Sequence, residues 1–334
     1  MTGETGRDGP KGMTWAALWR HRLLLVVLVA GALAIGTTIL QFGGRPVPVL
    51  GLLLALATAA WLVGVAVMER PCPGFRSTHQ VKEELGLPTL GLVPELPRPH
   101  GRLTLSDALI DKPTSAYAEA IKSAQLAILD AKPEAGPFRI LLVSSVAGEG
   151  KTSFAVSLAR SLALSGHRTL LLDCDFRRPT VHRHFGSEAV PGLVDCLRQE
   201  VSYEDLIRCD ERSGLYYATA GSPCRDPQKM LDSSLGTTVL HALMARFEVT
   251  IIDSPPTMVA SDCVVLARGA DLTLHIAAWS RTPRGAGRAG VDYLRSRGCR
   301  VAGVVLSRID IERAGRGGDY VDYAFRPGSG YLVE

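Results

Sequence analysis

The segment Gly148-Glu149-Gly150-Lys151-Thr152 brings together what a string of phosphates needs: glycines that let a loop wrap tightly, a lysine, and a hydroxyl. Backbone N–H groups of such a loop can cradle phosphate oxygens, Lys151 can reach the outer ones, and Thr152 can ligate Mg²⁺. Ser153 continues into the start of a helix, whose free amides add partial positive charge. The match to G-x-x-x-x-G-K-[ST] is imperfect, because Ser145 stands at the first glycine position. The combination calls for a nucleoside triphosphate; the plain alternative is an ordinary glycine turn between a strand and a helix. Two further stretches place acids where they could serve the same chemistry. Leu170-Leu171-Leu172 delivers Asp173-Cys174-Asp175-Phe176-Arg177-Arg178-Pro179, and Thr250-Ile251-Ile252 delivers Asp253-Ser254-Pro255-Pro256. An acid at a strand end beside a phosphate loop can hold Mg²⁺ directly or through water. Asp262, after the double proline, reads as an acid in a helix start.

The elements that must position these groups alternate. Strands are expected at 139–144, 169–173, 215–219, 249–253, 272–278 and 301–307, and helices at 115–129, 153–164, 234–246 and 284–297. Strands separated by helices of ten or more residues imply parallel crossovers, hence a mainly parallel sheet with helices on both faces. Ligands of such a sheet belong at the carboxyl ends of its strands, where the loop and both acid clusters lie.

Composition bounds the rest. The 334 residues suggest about two domains, and the formal charge of +4, with no basic stripe interleaved by aromatics, argues against nucleic acid. Seven cysteines, odd in number and never in a C-x-x-C pair, suit a reducing compartment and small buried side chains. Two uncharged apolar runs, 23–40 and 47–68, are joined by a short turn at 41–46. At 1.5 Å per residue the first reaches about 27 Å, close to the hydrocarbon core of a bilayer. Two spans so joined form an antiparallel hairpin with both ends on one side, and Trp15, Trp19, Arg20 and Arg22 place that side in the cytoplasm. Ala32-Leu33-Ala34 imitates a signal-peptide cleavage site, but the apolar run continues past it. The expected division is a cytoplasmic tail at 1–20, a transmembrane hairpin at 21–68, a Pro-rich linker at 69–112, a catalytic domain at 113–312 and a flexible tail at 313–334.

GEGKT, LLLDCDFRRP and TIIDSPP, in this order and spacing, resemble the Walker A, A-prime and B motifs of the bacterial tyrosine kinases, the polysaccharide-biosynthesis tyrosine autokinases. The second span with GLPTLGLVP resembles the membrane and linker part of chain-length-determinant proteins. The resemblance implies a P-loop NTPase-type fold, ATP and Mg²⁺. It also implies that Lys151 and the amides of Gly148, Glu149, Gly150, Lys151 and Thr152 hold phosphates, that Thr152, Asp173 and Asp253 hold Mg²⁺, and that Asp175 is the base accepting a tyrosine proton. Arg177 and Arg178 are open between phosphate, a neighbouring subunit and a surface ion pair. Tyr320, Tyr323 and Tyr331 match the family's C-terminal tyrosine cluster, which neighbouring subunits phosphorylate. That implies a homo-oligomer at the bacterial inner membrane, serving exopolysaccharide or capsule synthesis or export. Division and partition ATPases resemble the same fold but carry an extra lysine where this chain has Val146.

Three departures from the family pattern stand out. Glu119 is followed by Lys122 and Gln125 where the family's oligomerisation helix carries arginines. Ser307-Arg308 replaces the asparagine that meets adenine. The large extracytoplasmic domain between the spans is missing, so a separate chain-length-determinant or export polypeptide is the expected partner. The alternative function is a P-loop ATP switch that regulates a polysaccharide assembly complex without phosphorylating tyrosine.

Overall fold

The computed structural model describes residues 56–61, 74–96, 107–202 and 204–314. The chain divides into two compact units, 1–72 and 73–334. Of the first unit, residues 56–61 are helical. The rest of both expected membrane spans lies outside the described residues, and among the described residues no helix is long and apolar enough to cross a membrane. Tyr320, Tyr323 and Tyr331 also lie outside them.

The second unit begins with helix α1, Thr78–Leu85, and strand β1, Thr89–Pro94, both inside the stretch expected to be linker. That expectation is corrected here. Ser77 caps α1 by accepting from the Gln80 amide at 3.2 Å, and Gly86, at φ 64°, ends it in the left-handed conformation open to glycine. The prolines that rule out a long helix are compatible with β1 because it is an edge strand, where one row of N–H groups needs no partner.

Helix α2 spans Ala116–Leu129, β2 Phe138–Ser144, α3 Lys151–Leu164, β3 Thr169–Asp173, β4 Arg208–Asp210 and β5 Leu215–Ala218. Helix α4 follows at Ser234–Met244, then β6 at Val249–Asp253, α5 at Asp262–Arg268, β7 at Leu272–Ala278, α6 at Arg284–Ser296 and β8 at Val301–Ile309. The sheet runs β1-β8-β7-β2-β6-β3-β5-β4 and is parallel except for β4, which pairs antiparallel with β5 at the far edge. All six expected strands are present. The two edge strands were not foreseen.

The central strands read as unbroken apolar runs because both of their faces are covered. Along β2, Leu141 and Val143 face one core with Leu240, Leu243, Val264 and Val291, while Ile140 and Leu142 face the other with Ile121, Ile128, Phe154 and Leu158. In α2 the buried residues Tyr117, Ile121, Ala124 and Ile128 recur at helical spacing, and a Cβ on Gly91 of β1 would come within 2.9 Å of the Ala124 Cβ. Arg160 of α3 is buried between Asp107 and Asp210, each at 2.9 Å, which ties the helix to β4.

The start of the unit is packed into the core. Phe75 is fully buried, its carbonyl accepts from the Ser280 amide at 2.6 Å, and its ring lies where a Cβ on Gly287 would meet it at 2.6 Å. Trp279 Nε1 donates to the Arg76 carbonyl at 2.8 Å. Phe75→Ala is therefore expected to lower the unfolding free energy by about 3–5 kcal/mol, the cost of emptying a large aromatic site, as read by urea denaturation.

Candidate functional site

In the sheet order β2-β6-β3, the loop after β2 and the acids ending β6 and β3 are neighbours at one edge of the crevice. Residues Asp173 and Asp253 sit opposite each other in the parallel register of β3 and β6. The loop rises from β2 and turns at Gly148 and Gly150, with φ of 86° and 83°. Helix α3 then starts at Lys151, two residues earlier than expected, because Gly150 completes the turn.

Lys151, buried like its partner, makes an ion pair with Asp253. Thr152 Oγ1 donates to the other Asp253 oxygen at 2.7 Å, and the Thr180 hydroxyl lies 3.3 Å from Thr152 Oγ1. Asp173 accepts from backbone amides: Asp175 at 3.2 Å on one oxygen, Thr180 at 3.2 Å and Val181 at 3.1 Å on the other. Burial, and then the facing Asp253 carboxylate, push its pKa well up. Held up in this way, the Asp173 carboxyl keeps a proton, which a cation bound beside Asp253 would displace. The donors available to a divalent ion are one hydroxyl and two carboxylates. That set suits Mg²⁺ shared with substrate phosphates rather than caged wholly by protein, and the residues present fit such an ion.

A cavity of about 560 Å³ lies over these groups, lined by the loop, Lys151, Thr152, Asp175, Arg178, Arg183, Pro256 and Arg308 among others. Asp175, half-buried at its rim, accepts from the Arg178 amide at 3.0 Å. Arg177, itself exposed, pairs with the buried Asp262 at 3.1 Å, and Asp262 lies in the first turn of α5.

Several parts of the site went unrecognised in the sequence. Glu149 does not face the cavity with its carboxylate, which accepts from the Val146 amide at 2.8 Å and from the Thr282 hydroxyl. Thr282 in turn accepts from the Ala278 amide at 2.8 Å. Ser307 donates to the Glu149 carbonyl, so it braces the loop from β8. At the first glycine position Ser145 is fully buried, with its hydroxyl 2.8 Å from His275 Nε2, and a Cβ on Gly290 of α6 would lie 2.4 Å from that oxygen. Burial holds the His275 imidazole down at about 4, so it is neutral at pH 7, and its Nδ1 has no partner among the described residues. In α2, Lys122 pairs with Glu119 at 2.7 Å, and Gln125 is buried against Ser161 and Ser165. Each of these departures thus has a partner within the fold.

The CobQ/CobB/MinD/ParA nucleotide binding domain model matches residues 140–318, from β2 past the end of β8. The chain belongs to the CobQ/CobB/MinD/ParA family. Within the family its likeness is to bacterial tyrosine kinases. Tyrosine-protein kinase ptk of Acinetobacter johnsonii is 28% identical over 251 residues, covering 73% of this chain and 34% of ptk. The succinoglycan biosynthesis transport protein ExoP of Rhizobium meliloti is 29% identical over 222 residues, covering 65% of this chain and 28% of ExoP. The solved kinase domain of VpsO is 33% identical with a TM-score of 0.53, covering 62% of this chain and all of that domain. The chain spans about a third of the length of the first two relatives. The resemblance to bacterial tyrosine kinases read from the three motifs is borne out, as is the P-loop sheet.

Burial pushes the Glu149 carboxyl up from 4.5 to about 7. A folded-state value above the unfolded one means that the folded chain holds this proton more tightly. Its contribution to stability is full below about pH 4.5 and is lost as pH rises through about 7. Glu149→Gln keeps the shape without the charge. Its unfolding free energy relative to the unaltered chain should rise by about 1–3 kcal/mol between pH 5 and pH 8 in chemical denaturation.

Proposed function

We propose that this chain is a membrane-anchored, ATP-dependent protein-tyrosine autokinase that serves bacterial exopolysaccharide or capsule assembly. The observation that carries the reading is the joining of Lys151, Thr152 and Asp253 beneath a cavity whose rim holds Asp175. Phosphoryl transfer needs mostly positioning and charge stabilisation, and these are the parts for it.

Amides of Gly148 to Thr152 and the Lys151 ammonium hold the phosphates, and Ser153 lies where the start of α3 faces them. Lys151 must exchange some of its bond to Asp253 for phosphate oxygen. Thr152, Asp173 and Asp253 would hold Mg²⁺, directly or through water, and the ion would supply charge neutralisation for phosphoryl transfer. The phenolic oxygen of a tyrosine attacks the γ-phosphorus. The bond to the β–γ bridging oxygen breaks, ADP leaves with its electron pair, and the phenolic proton passes to the Asp175 carboxylate. The acceptors are Tyr320, Tyr323 and Tyr331 of a neighbouring copy. Oligomer assembly uses surfaces other than the family's arginine helix, since Lys122 and Gln125 are engaged within this chain. The names of ptk and ExoP support kinase activity and polysaccharide transport respectively. The apolar runs at 23–40 and 47–68 support an inner-membrane hairpin with the kinase domain in the cytoplasm. A separate chain-length-determinant or export protein supplies what the short turn between them lacks.

The deciding experiment incubates the detergent-solubilised chain with Mg-ATP and locates phosphotyrosine by mass spectrometry. Tail phosphorylation should appear and should fall by at least about 100-fold in Lys151→Met, the scale of losing one preorganised charge contact to the transition state. Nucleotide binding without phosphotyrosine would overturn the kinase reading in favour of an ATP-dependent switch.

A further inference from the structure

The cations around the 560 Å³ cavity are not equivalent. Lys151 is committed to Asp253, and Arg177 to Asp262. Arg308 leans over the phosphate loop, since a Cβ on Gly150 would lie 3.4 Å from its Nε. Arg178 and Arg183 line the cavity as well. Arg178 is three residues beyond Asp175 and its amide bonds that carboxylate; Arg183 sits in the short helix Val181–His184, whose first amide bonds Asp173. Both guanidinium-bearing residues are exposed, and no acid among the described residues pairs with either. Both line the cavity that Asp175 also lines, so their charge reaches an acceptor brought to that carboxylate.

The tyrosines of this chain offer a complement. Of eight, three directly follow an aspartate: Tyr293, Tyr320 and Tyr323. Tyr293 is packed against the core from α6 with Arg297 over its ring, which leaves the segment Asp319-Tyr320-Val321-Asp322-Tyr323. Tyr331 follows Gly330 and carries no such charge.

From this we infer that Arg178 and Arg183 select acceptor tyrosines by an acidic residue immediately before them, and that the preferred acceptor is the segment 319–323 rather than Tyr331. The selection rests on the kinase reading for its consequence, but the docking stands on charge and position alone. Guanidinium–carboxylate pairing is both directional and charge-assisted, so it fixes which tyrosine is held over Asp175.

The test uses the full chain in detergent with Mg-ADP and three fluorescent peptides: Gly-Asp-Tyr-Val-Asp-Tyr-Ala, its Asn-for-Asp version and its Lys-for-Asp version. Anisotropy should show the acidic peptide binding about tenfold more tightly than the neutral one, the size of losing modest exposed pairs at two positions. The double substitution Arg178→Glu with Arg183→Glu should abolish that preference and bind the Lys peptide instead. That gain also shows that the altered chain has folded. Equal binding of acidic and neutral peptides, or an unchanged preference in the charge-reversed chain, would overturn the inference.

With Mg-ATP, mass spectrometry should find Tyr320 and Tyr323 occupied well before Tyr331, and Asp319→Asn with Asp322→Asn should erase the lead. Phosphotyrosine spread evenly over all three would sink the selection and leave the kinase standing. A charge-dependent peptide preference with no phosphotyrosine anywhere would do the reverse, keeping tail docking and removing the kinase reading.

Discussion

Two carboxylates end adjacent parallel strands in the interior of this fold, with one lysine between them and the phosphate loop. Buried carboxyl groups left without hydrogen-bond partners are costly, so Asp173 and Asp253 shape everything nearby. Asp253 takes up Lys151 and Thr152, and Asp173 takes up three backbone amides of the segment after β3. The first set orients the start of α3; the second bends residues 174–181 so that Asp175 reaches the cavity rim. The same electrostatic need that a triphosphate and its cation would meet is met in part by Lys151, Thr152 and the backbone amides around Asp173.

The loop has a second set of supports on the side away from the cavity. Glu149 closes it through Val146 and Thr282, Ser307 holds the Glu149 carbonyl, and Ser145 meets His275 beneath. These contacts come from β7 with the turn that follows it and from β8, so the loop is braced by two separate stretches of chain. Thr282 lies in the same turn that receives Phe75 and Arg76 through Ser280 and Trp279. The first residues of the second unit and the phosphate loop are thus held by one short turn.

What could be read from the sequence follows from burial. Central strands are covered on both faces, so β2, β3 and β6 stand out as apolar runs, and the acids at the tips of β3 and β6 stand out because nothing else in those two strands is charged. The edge strands are different. Strand β1 sits among prolines, and β4 is only Arg208, Cys209 and Asp210, a composition that suits any turn. The inward carboxylate of Glu149 was hidden for another reason: a charged residue in a glycine loop reads as solvent-facing, and its partner Thr282 is 133 positions away. His275, one polar residue in an apolar strand, gave no sign that it sits under Ser145.

Strand β1 has a further consequence through its position. It covers the outer edge of β8, pairing in parallel from Thr89 to Pro94. A fragment cut at the linker boundary suggested by composition, near residue 113, would keep every motif of the site yet bare the hydrogen-bonding edge of a nine-residue, largely apolar strand. Such an edge is a template for pairing with other chains. Solubility of the isolated catalytic unit therefore depends on some forty residues that carry none of its chemistry, and the natural place to separate it from the first unit is between Cys72 and Pro73.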